Sequence, residues 1–514
     1  MASKFQTLPR KSPVLGMQQD RPTDEVDDRA WVTCRNVHIL DNKLVKIGGW
    51  KQWTPPIGSD SIEAAPISLV GSATFQDGTQ RGVVGTPSYL YEIGDDGIAT
   101  ALNATAFSAN PACVWEMDEM LNDVIFTNYF DPPQDWSGAA GTLIALDGTP
   151  PNGYHVQEFQ NHIVFGNIMY SNQASPYSIA NSNLGTIADW DFSNYQDEAN
   201  MWPITAGNDP VMRMLRCDNY LVVYKQWSIH MVSYVGGTIP LSITQFVDGM
   251  GTMSSQSVCR VGDIHYYVGQ DDVYSLTSSG NQRIGQRVWD KFYADIMPLQ
   301  RDAIVGFADA QQHEVVFGYR SVHGTGDPDM AYVYHYLTDS YSIRDWPFTA
   351  AGYVPIETSS GSPLVDSTDE VTDFSTRLWD ATSSTPDTTL LLAGDINGQL
   401  WAEVTDPTVT PDLDVPLYLE SGDTALGDED SVKMMSGMRF NVPTLTGSPM
   451  QVWIGWRDDL EQDLTWDGPY LYDATVGRLD FTASGRWFRF KFIKPDGFLE
   501  MKEYAPIFRK RGNY

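Results

Sequence analysis

The sequence predicts an all-β protein, with a six- or seven-bladed β-propeller-like domain followed by a C-terminal antiparallel β-sandwich domain. The first observation is a repeat, in which short runs of β-branched and aromatic residues return at steps of roughly 40 to 60 residues. The second is that clusters of Gly, Pro, Asn and Asp bound each run, as they bound strands. The third is an alternation of apolar and polar residues near the C-terminus, which is typical of strands with one buried face.

Six strand-like runs carry the repeat, and together they are typical of a radially repeated β architecture. They lie at residues 82–91, 122–128, 161–167, 219–224, 263–269 and 314–318. Two further strands within residues 389–404 belong to the last of these units or to a seventh blade. Closing a propeller requires the first and last blades to meet. The hairpin predicted at residues 31–50 is therefore a candidate for supplying a strand to the final blade.

The chain divides into an arm, a propeller and a C-terminal domain. Residues 1–29 are polar and contain three prolines, and we interpret them as an extended N-terminal arm. Residues 30–405 form the predicted propeller, with a polar, Ser- and Thr-rich insertion near 357–376. Three prolines mark a linker at 406–416, and the C-terminal β domain occupies residues 417–514.

Two local patterns refine this division. In the C-terminal domain, residues 450–456 and 487–492 alternate between apolar and polar side chains, which predicts strands with one buried face. Residues 286–297 have the period of a short amphipathic helix, because three apolar residues recur four apart on one face. Those residues are Val288, Phe292 and Ile296.

The charge is strongly acidic and unevenly distributed. The formal net charge is -33, and no Lys or Arg occurs from Gly82 to Met212, where sixteen Asp and Glu lie. Nine Lys and Arg lie in the first 51 residues, and nine more lie between Arg478 and Arg511. Tight DNA binding needs Lys or Arg at the phosphates, so the central stretch is not a nucleic-acid clamp. The plainer interpretation is that this charge confers solubility.

Cysteines and apolar segments bear on the compartment. The four cysteines, at positions 34, 113, 217 and 259, lack the spacing of a disulfide framework or a zinc site, so we expect four buried free thiols. No secretory signal follows Met1, and no apolar run reaches the roughly 18 residues of a membrane span. We therefore expect synthesis in a reducing host cytoplasm and no membrane insertion.

No motif singles out a catalytic, cofactor-binding or metal site. The chain lacks a phosphate-cradling glycine loop, a GxSxG elbow and an HExxH helix, and its eight histidines do not pair at ligand spacing. His162, His265 and His313 fall in or beside predicted strands, where packing roles are commoner than catalysis. Residues 271–272 and 395–398 resemble cation loops but lack the terminal Glu, and we interpret both as hairpin turns. We expect no enzymatic activity, no cofactor and no metal.

Several segments, taken in order, resemble a known family. Residues 29–38, followed by 41–50, resemble the opening of the tail hub, or nozzle, proteins of short-tailed bacteriophages, with a Trp, an Asn-Val pair, a turn and Gly-Gly-Trp. The segments that resemble the middle and end of that family are Gln157–Gly166, Trp227–Met231, Gly249–Val258, Gly262–Tyr267, Ile284–Trp289 and Ser484–Phe490. The resemblance spans most of residues 29–492, and the 357–376 stretch has no counterpart in it.

The resemblance implies a structural virion protein that forms the distal part of a phage tail tube. It implies a homohexameric ring, of about six copies, below a portal and an adaptor or head-to-tail connector ring. Further implied partners are tail fibres or spikes and a tail needle or plug. The ring would retain packaged double-stranded DNA and conduct it during genome ejection without binding it specifically. The family carries no catalytic residues.

Two alternatives stay open. A glycan-binding or glycan-cleaving propeller, acting as a receptor-binding tail component, would bind host polysaccharide and is often trimeric. A ring subunit would instead be monomeric or hexameric and inert towards glycans. A cytosolic scaffolding propeller of the WD40 or kelch type is a third possibility. The missing Trp-Asp repeat endings and the missing paired glycines argue against it.

Overall fold

The computed structural model describes residues 5–512 apart from 9, 12–13, 41, 95–96, 111, 139–142, 195, 208, 357–388 and 476. The predicted insertion near 357–376 lies outside the described residues. Within the described part, strands dominate, which confirms the predicted all-β class.

Seven four-stranded antiparallel arrays follow one another around a ring in the described part of the chain. The first strands of successive arrays contact each other, and between the fourth and fifth a short 3-10 turn at Ser255–Ser257 makes the contact. The seventh array meets the first through Ala350–Pro355 and Leu69–Thr74. The arrangement is a β-propeller, as predicted, and seven is the blade count that the structure selects from the two predicted.

The blades are named in chain order, and each begins with its innermost strand. Blade 1 comprises Leu69–Thr74, Gln80–Gly85, Leu90–Ile93 and Ala99–Ala101. Blade 2 comprises Glu116–Met120, Asp123–Thr127, Gln134–Trp136 and Ile144–Ala145. Blade 3 comprises Asn152–Phe159, His162–Tyr170, Gln173–Asn181 and Asn200–Pro203. Blade 4 comprises Val211–Cys217, Tyr220–Lys225, Ser228–Tyr234 and Leu241–Asp248.

The remaining blades follow the same order with one exception at the end. Blade 5 comprises Cys259–Val261, Ile264–Val268, Val273–Thr277 and Gly280–Arg283. Blade 6 comprises Val305–Asp309, Glu314–Tyr319, Met330–His335 and Ser340–Asp345. Blade 7 comprises Ala350–Pro355, Thr389–Gly394, Leu400–Glu403 and, from the other end of the chain, Trp50–Trp53.

The sequence repeat coincides with the second strand of each blade. This strand is paired on both sides and packed on both faces by neighbouring blades, so nearly every side chain in it is buried. Tyr220–Lys225 is buried at all positions but the first, and Glu314–Tyr319 is buried throughout. Such strands appear as continuous apolar runs, which is why they are visible in the sequence. The run at Thr389–Gly394 is the seventh of these strands.

An N-terminal strand closes the propeller. Trp50–Trp53 pairs antiparallel with Leu400–Glu403 and becomes the outermost strand of blade 7. Trp50 is fully buried and packs edge-on against the rings of Trp346 and Phe348, at 5.6 and 4.5 Å between centroids. The hairpin itself, which was the predicted source of this strand, does not enter the blade. Its strands Val37–Leu40 and Lys43–Lys46 join another sheet, and the strand that follows the hairpin enters the last blade.

Both chain ends form one body beside blade 6, which we call the terminal layer. Blade 6 continues outward as a nine-stranded sheet through Trp31–Arg35, Leu417–Ser421, Trp487–Lys494, Met450–Arg457 and Thr465–Tyr472. A second sheet contains Gln6–Thr7, Arg10–Lys11, Val432–Asn441, Arg478–Gly485 and Glu503–Gly512. A third contains Val37–Leu40, Lys43–Lys46, Thr444–Leu445 and Leu499–Met501. The strands predicted for the C-terminal domain therefore share sheets with strands from the first 46 residues.

The terminal layer has the sandwich core expected from the alternating pattern. Met435 and Phe440 from the second sheet belong to the same apolar cluster as Val452, Ile454 and Phe490 from the first. Along Trp487–Lys494 every second side chain is buried, which confirms the predicted period of two. Packing of two sheets through their apolar faces is the sandwich arrangement.

Two smaller predictions are also confirmed. The predicted helix is present at Trp289–Asp295, and the three residues of its predicted apolar face are at most 1% exposed. It is shorter than predicted because Ile296 is already extended and Pro298 begins a 3-10 segment, Pro298–Ala303. All four cysteines are buried with free thiols.

Candidate functional site

The acidic stretch of the sequence occupies consecutive blades. Gly82–Met212, which contains no Lys or Arg, covers most of blade 1 and all of blades 2 and 3. In blade 1 the basic residue Arg81 lies just before this stretch and pairs with Glu92 at 2.8 Å. Three adjacent blades therefore present almost only negative or neutral side chains.

Some of these carboxylates join one blade to the next. Glu116, on the first strand of blade 2, accepts a hydrogen bond from His155 Nδ1 of blade 3 at 2.9 Å and pairs with Arg213 of blade 4. Burial alone would raise the pKa of Glu116, but Arg213 and His155 outweigh it and hold that pKa below its usual value. The two cations at the end of the acidic stretch thus reach back into it: Arg213 pairs with Glu116, and Arg216 pairs with Glu158.

Asp118 is the least favourably placed carboxylate of this group. Its Oδ2 accepts hydrogen bonds from the side-chain amide of Gln157 and the backbone N–H of Glu158, both on blade 3. Burial raises its pKa to about 6, and the neighbouring charges of Glu158 and Glu119 act in the same direction. Hydrogen bonds to Glu116 and Asp118 thus join the first strands of blades 2 and 3, and of these two carboxylates only Asp118 has a raised pKa.

A second charged group lies where blade 6, blade 7 and the terminal layer meet. We call it the His38 cluster, and its members are His38, Glu314, His335, Arg344 and Glu403. His38 donates from Nδ1 to Glu314 at 2.8 Å and from Nε2 to Glu403 at 3.1 Å. Arg344 donates to the other oxygen of Glu314 at 2.6 Å, and His335 Nδ1 lies 3.1 Å from Glu314 Oε1. The imidazole of His38, on a strand of the terminal layer, therefore bonds both blade 6 through Glu314 and blade 7 through Glu403.

Protonation of the His38 cluster balances its charges. Burial would lower the pKa of His38, but Glu314 and Glu403 outweigh it and raise that pKa to about 10. Burial would raise the pKa of Glu314, but Arg344, His38 and His335 hold it well below the usual range. Burial lowers the pKa of His335. At neutral pH, His38 and Arg344 therefore neutralise Glu314 and Glu403, as a buried charged group requires.

A pocket of about 160 Å³ opens next to this cluster, between blades 6 and 7. Its polar lining includes Asp309, Gln312, Tyr353 and Glu403, and its apolar lining includes Leu391. Tyr353 donates to Asp309 Oδ1 at 2.5 Å, while Asp309 Oδ2 is buried without a hydrogen-bond partner. Burial raises the pKa of Asp309. The pocket thus combines amide, carboxyl and phenol groups with an apolar wall.

The residues singled out in the sequence have local structural roles. His162 is buried against Glu198, at 3.1 Å, and His265 is buried between the Tyr224 hydroxyl and the Arg216 carbonyl. His313 is exposed beside Tyr336. The 271–272 and 395–398 segments lie in interstrand turns, as predicted, and Asp395 accepts hydrogen bonds from the backbone N–H groups of residues 397 and 399.

Sequence reasoning missed the His38 cluster. Its members lie up to 365 residues apart in the chain, and only the pairing of the strands brings them together. Among the described residues, no group of three or more His, Cys, Asp or Glu is arranged to hold a metal ion. No helix within the described ranges is both long and apolar enough to cross a membrane.

Comparison with known proteins gives likenesses of fold only. No protein-family profile matches the chain, and no curated protein matches it. Among solved structures, the chain is similar to the computationally designed Ika8 protein, at 11% identity and a TM-score of 0.34, covering 68% of this chain and 99% of the other. It is also similar to the Pan2 WD40 domain of Neurospora crassa, at 9% identity and a TM-score of 0.37, covering 73% of this chain and 100% of the other.

Proposed function

We propose that this protein is a structural ring subunit of a short-tailed phage tail, of the hub or nozzle kind. About six copies would form the distal tail tube, retain the packaged DNA and conduct it during ejection. The order of the motifs along residues 29–492 is what suggests this family. The chain would act as a wall and carry out no chemistry.

The observation that carries the proposal is the confinement of the cation-free stretch to three adjacent blades. A ring of about six copies would hold roughly -200 formal charges. At physiological salt these charges act over about 8 Å, so they repel a phosphate backbone that approaches the wall and do little beyond it. Such a wall offers no Lys or Arg to bind the phosphates, so DNA does not adhere to it. This property suits a conduit for DNA better than a site that stores DNA by tight binding.

Reversing charge on these blades tests the proposal. We would change Asp189, Asp191 and Asp197, in the long loop of blade 3, to Lys, with the corresponding Asn variant as the neutral comparison. A second set, Asp131 and Asp147 of blade 2, lies in the segments that join second to third strands and blade 2 to blade 3, at the other end of the propeller from that loop. Added Lys next to the DNA path gives counterion-releasing contacts, so at least one set should slow genome ejection, measured by dye release from single particles.

The matched control carries the same number of Asp-to-Lys or Glu-to-Lys changes on the terminal layer, at Asp458, Asp459 and Glu461. These particles should assemble and eject at the wild-type rate. Unchanged ejection in every propeller set, in particles that contain the variant subunit, would contradict the proposal.

The pocket beside the His38 cluster favours a second candidate, a glycan-binding propeller. Polar groups that converge beside an apolar wall are typical of small-ligand sites. Saturation-transfer NMR with host surface polysaccharide separates the two functions. Binding that is lost in Gln312→Ala would support the glycan-binding candidate, whereas a ring subunit should give no transfer.

A further inference from the structure

One end of the propeller carries exposed apolar side chains. The first strands of blades 2 and 3 run in the same direction. Glu116 contacts His155, and two residues later Asp118 contacts Gln157 and Glu158. The turns joining first to second strands and third to fourth strands therefore all lie at one end, which we call the turn face. Its exposed large apolar residues include Leu121, Ile144, Leu184, Val235, Ile239 and Leu337, with exposed fractions between 46% and 62%.

The turn face is acidic in blades 1 to 6, and cations from outside its turns pair with two of its acids, Arg260 with Asp263 at 3.9 Å and Arg287 with Asp339 at 3.7 Å. None of the twelve segments that form it contains a Lys or Arg, while eight Asp and Glu lie in their described residues. Asp77, Asp218, Asp263 and Asp339 are among these acids, and all four are exposed at least in part. Apolar tips surrounded by one sign of charge make a surface suited to a partner of the opposite sign.

Leu121, one of the exposed apolar residues of the turn face, has a strained backbone conformation. It is the first of two turn residues in blade 2 and has a φ of 61°. The equivalent positions in blades 4 and 5 hold Asp218 and Gly262, at φ 54° and 59°. Asp and Gly tolerate this left-handed conformation, whereas for a branched side chain it costs roughly 1 to 2 kcal/mol. Leu121 is 55% exposed, so its own fold gains little in return.

The opposite end of the propeller holds the complementary groups. The other interstrand segments of blades 1 to 6 contain four Lys and Arg: Arg287, Lys291 and Arg301 between blades 5 and 6, and Arg320 after the second strand of blade 6. Arg287 reaches the turn face, where it pairs with Asp339 at 3.7 Å, so it is not one of the complementary groups. Leu299 lies among them and is 91% exposed. We call Leu299 with Lys291, Arg301 and Arg320 the junction patch.

Contacts hold the junction patch together without neutralising it. Arg301 stacks on the ring of Tyr293 at 3.9 Å, and Arg320 donates to the side chain of Gln300 at 2.5 Å. Within the described residues, no carboxylate lies within ion-pair distance of Lys291, Arg301 or Arg320, although most other described cations are paired. The acids nearby are Asp290 and Asp302, on the same elements, and Asp295, which accepts from Tyr319.

We propose that the turn face of one copy docks on the junction patch of a second copy. The two surfaces lie at opposite ends of the propeller, so the contact is heterologous, and the pair retains one free turn face and one free junction patch. Such contacts extend until the rotation between copies closes a ring. Apolar tips would cover Leu299, and the acids of the turn face would pair with the three unneutralised cations. The inference rests on the proposed ring in that it names the surfaces by which the ring closes.

The test disables each surface separately with changes at exposed positions. Ile239→Asp alters the turn face, Leu299→Asp alters the junction patch, and Leu471→Asp, 60% exposed on the terminal layer, is the matched control. Sedimentation velocity over a concentration series measures association, and circular dichroism checks folding. Each surface variant should weaken association at least tenfold, and the control should associate like the wild type.

Mixing gives the sharper result. Ile239→Asp retains its junction patch and Leu299→Asp retains its turn face, so an equimolar mixture should form a one-to-one pair and nothing larger. Failure of the mixture to pair, or wild-type association in both variants, would overturn the inference. Variants that still form rings would leave the proposed function standing. A wild-type chain that forms no ring, alone or on particles, would instead remove the proposed function.

Discussion

Two of the residues that this propeller places against their own preferences give testable predictions. Leu121 holds a left-handed turn position that Gly fills in blade 5. The Leu121→Gly variant should relieve backbone strain, and after the entropy cost of a glycine the gain is about 0.5 to 1 kcal/mol. Differential scanning calorimetry should show a small rise in the midpoint. Leu121→Ala retains a Cβ and should show none, so an equal rise in both would contradict the strain.

Asp118 is the second such residue, and it makes stability depend on pH. Its pKa in the folded state is about 6, above the usual value near 4. Above pH 6 the ionised Asp118 therefore lowers the free energy of unfolding by its full amount. This loss shrinks as the pH falls from 6 and is gone below pH 4.

Asp118→Asn carries no such charge. The midpoint of the variant relative to the wild type should be highest at pH 7.5 and should fall between pH 6 and pH 4. Asp263→Asn, whose side chain is 70% exposed in the wild type, is the control and should show no trend. A constant difference between Asp118→Asn and wild type across this range would show that burial does not perturb the carboxyl.

At the scale of elements, the His38 cluster fastens a strand of the terminal layer to two blades. The pKa of His38 is raised from 6.5 to about 10, so its contribution to stability is complete below pH 6.5 and is lost as the pH rises to 10. His38→Asn should cost about 3 kcal/mol at pH 6, because it removes the cation that bonds the buried Glu403 and leaves Glu314 with Arg344 and His335 only.

The pH series carries the test of that fastening. The difference in unfolding midpoint between His38→Asn and wild type should shrink between pH 6.5 and pH 10. His313→Asn, at an exposed histidine, should match the wild type at every pH. A gap for His38→Asn that stays the same up to pH 10 would show that the imidazole is not held protonated.

Closure of blade 7 depends on a strand from far away in the chain. Trp50 is fully buried at the join, and Trp50→Ala should destabilise the protein by about 3 to 5 kcal/mol. Trp227→Ala removes the same side chain from a turn where it is 49% exposed, and should cost clearly less, about 1 kcal/mol. Thermal unfolding compares the two, and equal losses would mean that the join contributes nothing special.

The elements that the sequence revealed are those with a simple burial pattern. Second strands such as Tyr220–Lys225 are buried on both faces and appear as apolar runs, and Trp487–Lys494 is buried on one face and alternates. First strands such as Glu116–Met120 carry carboxylates that pair across blades, so they show neither pattern. The entry of Trp50–Trp53 into blade 7 was not predictable in detail, because its pairing spans about 350 residues of chain and no local signal encodes it.

The His38 cluster was harder to predict than the fold, because its residues also lie far apart in the chain. His38, Glu314 and Glu403 give no spacing signal, since three separate elements supply them. The cation-free stretch, by contrast, was visible in the sequence, and the structure adds that it fills three adjacent blades. The junction patch was visible only once the strand order showed at which end each turn lies.

At the scale of the whole molecule, charge is separated along the ring of blades and between the two ends of the propeller. Acids greatly outnumber cations in blades 1 to 3 and in the turns of the turn face, while the cations of the interstrand segments lie between blades 5 and 6 and in blade 6. A closed propeller has few free strand edges to offer a partner. Association is therefore expected through turns and loops, which is where the exposed apolar residues and the unneutralised cations lie.

Electron microscopy of the purified protein, alone and mixed with tail-less phage particles, tests the central claim most directly. The account predicts closed rings of about six copies that bind to the particles, with the turn face of each subunit against the junction patch of the next. A chain that stays monomeric or forms trimers, binds host polysaccharide and leaves the particles bare would contradict it.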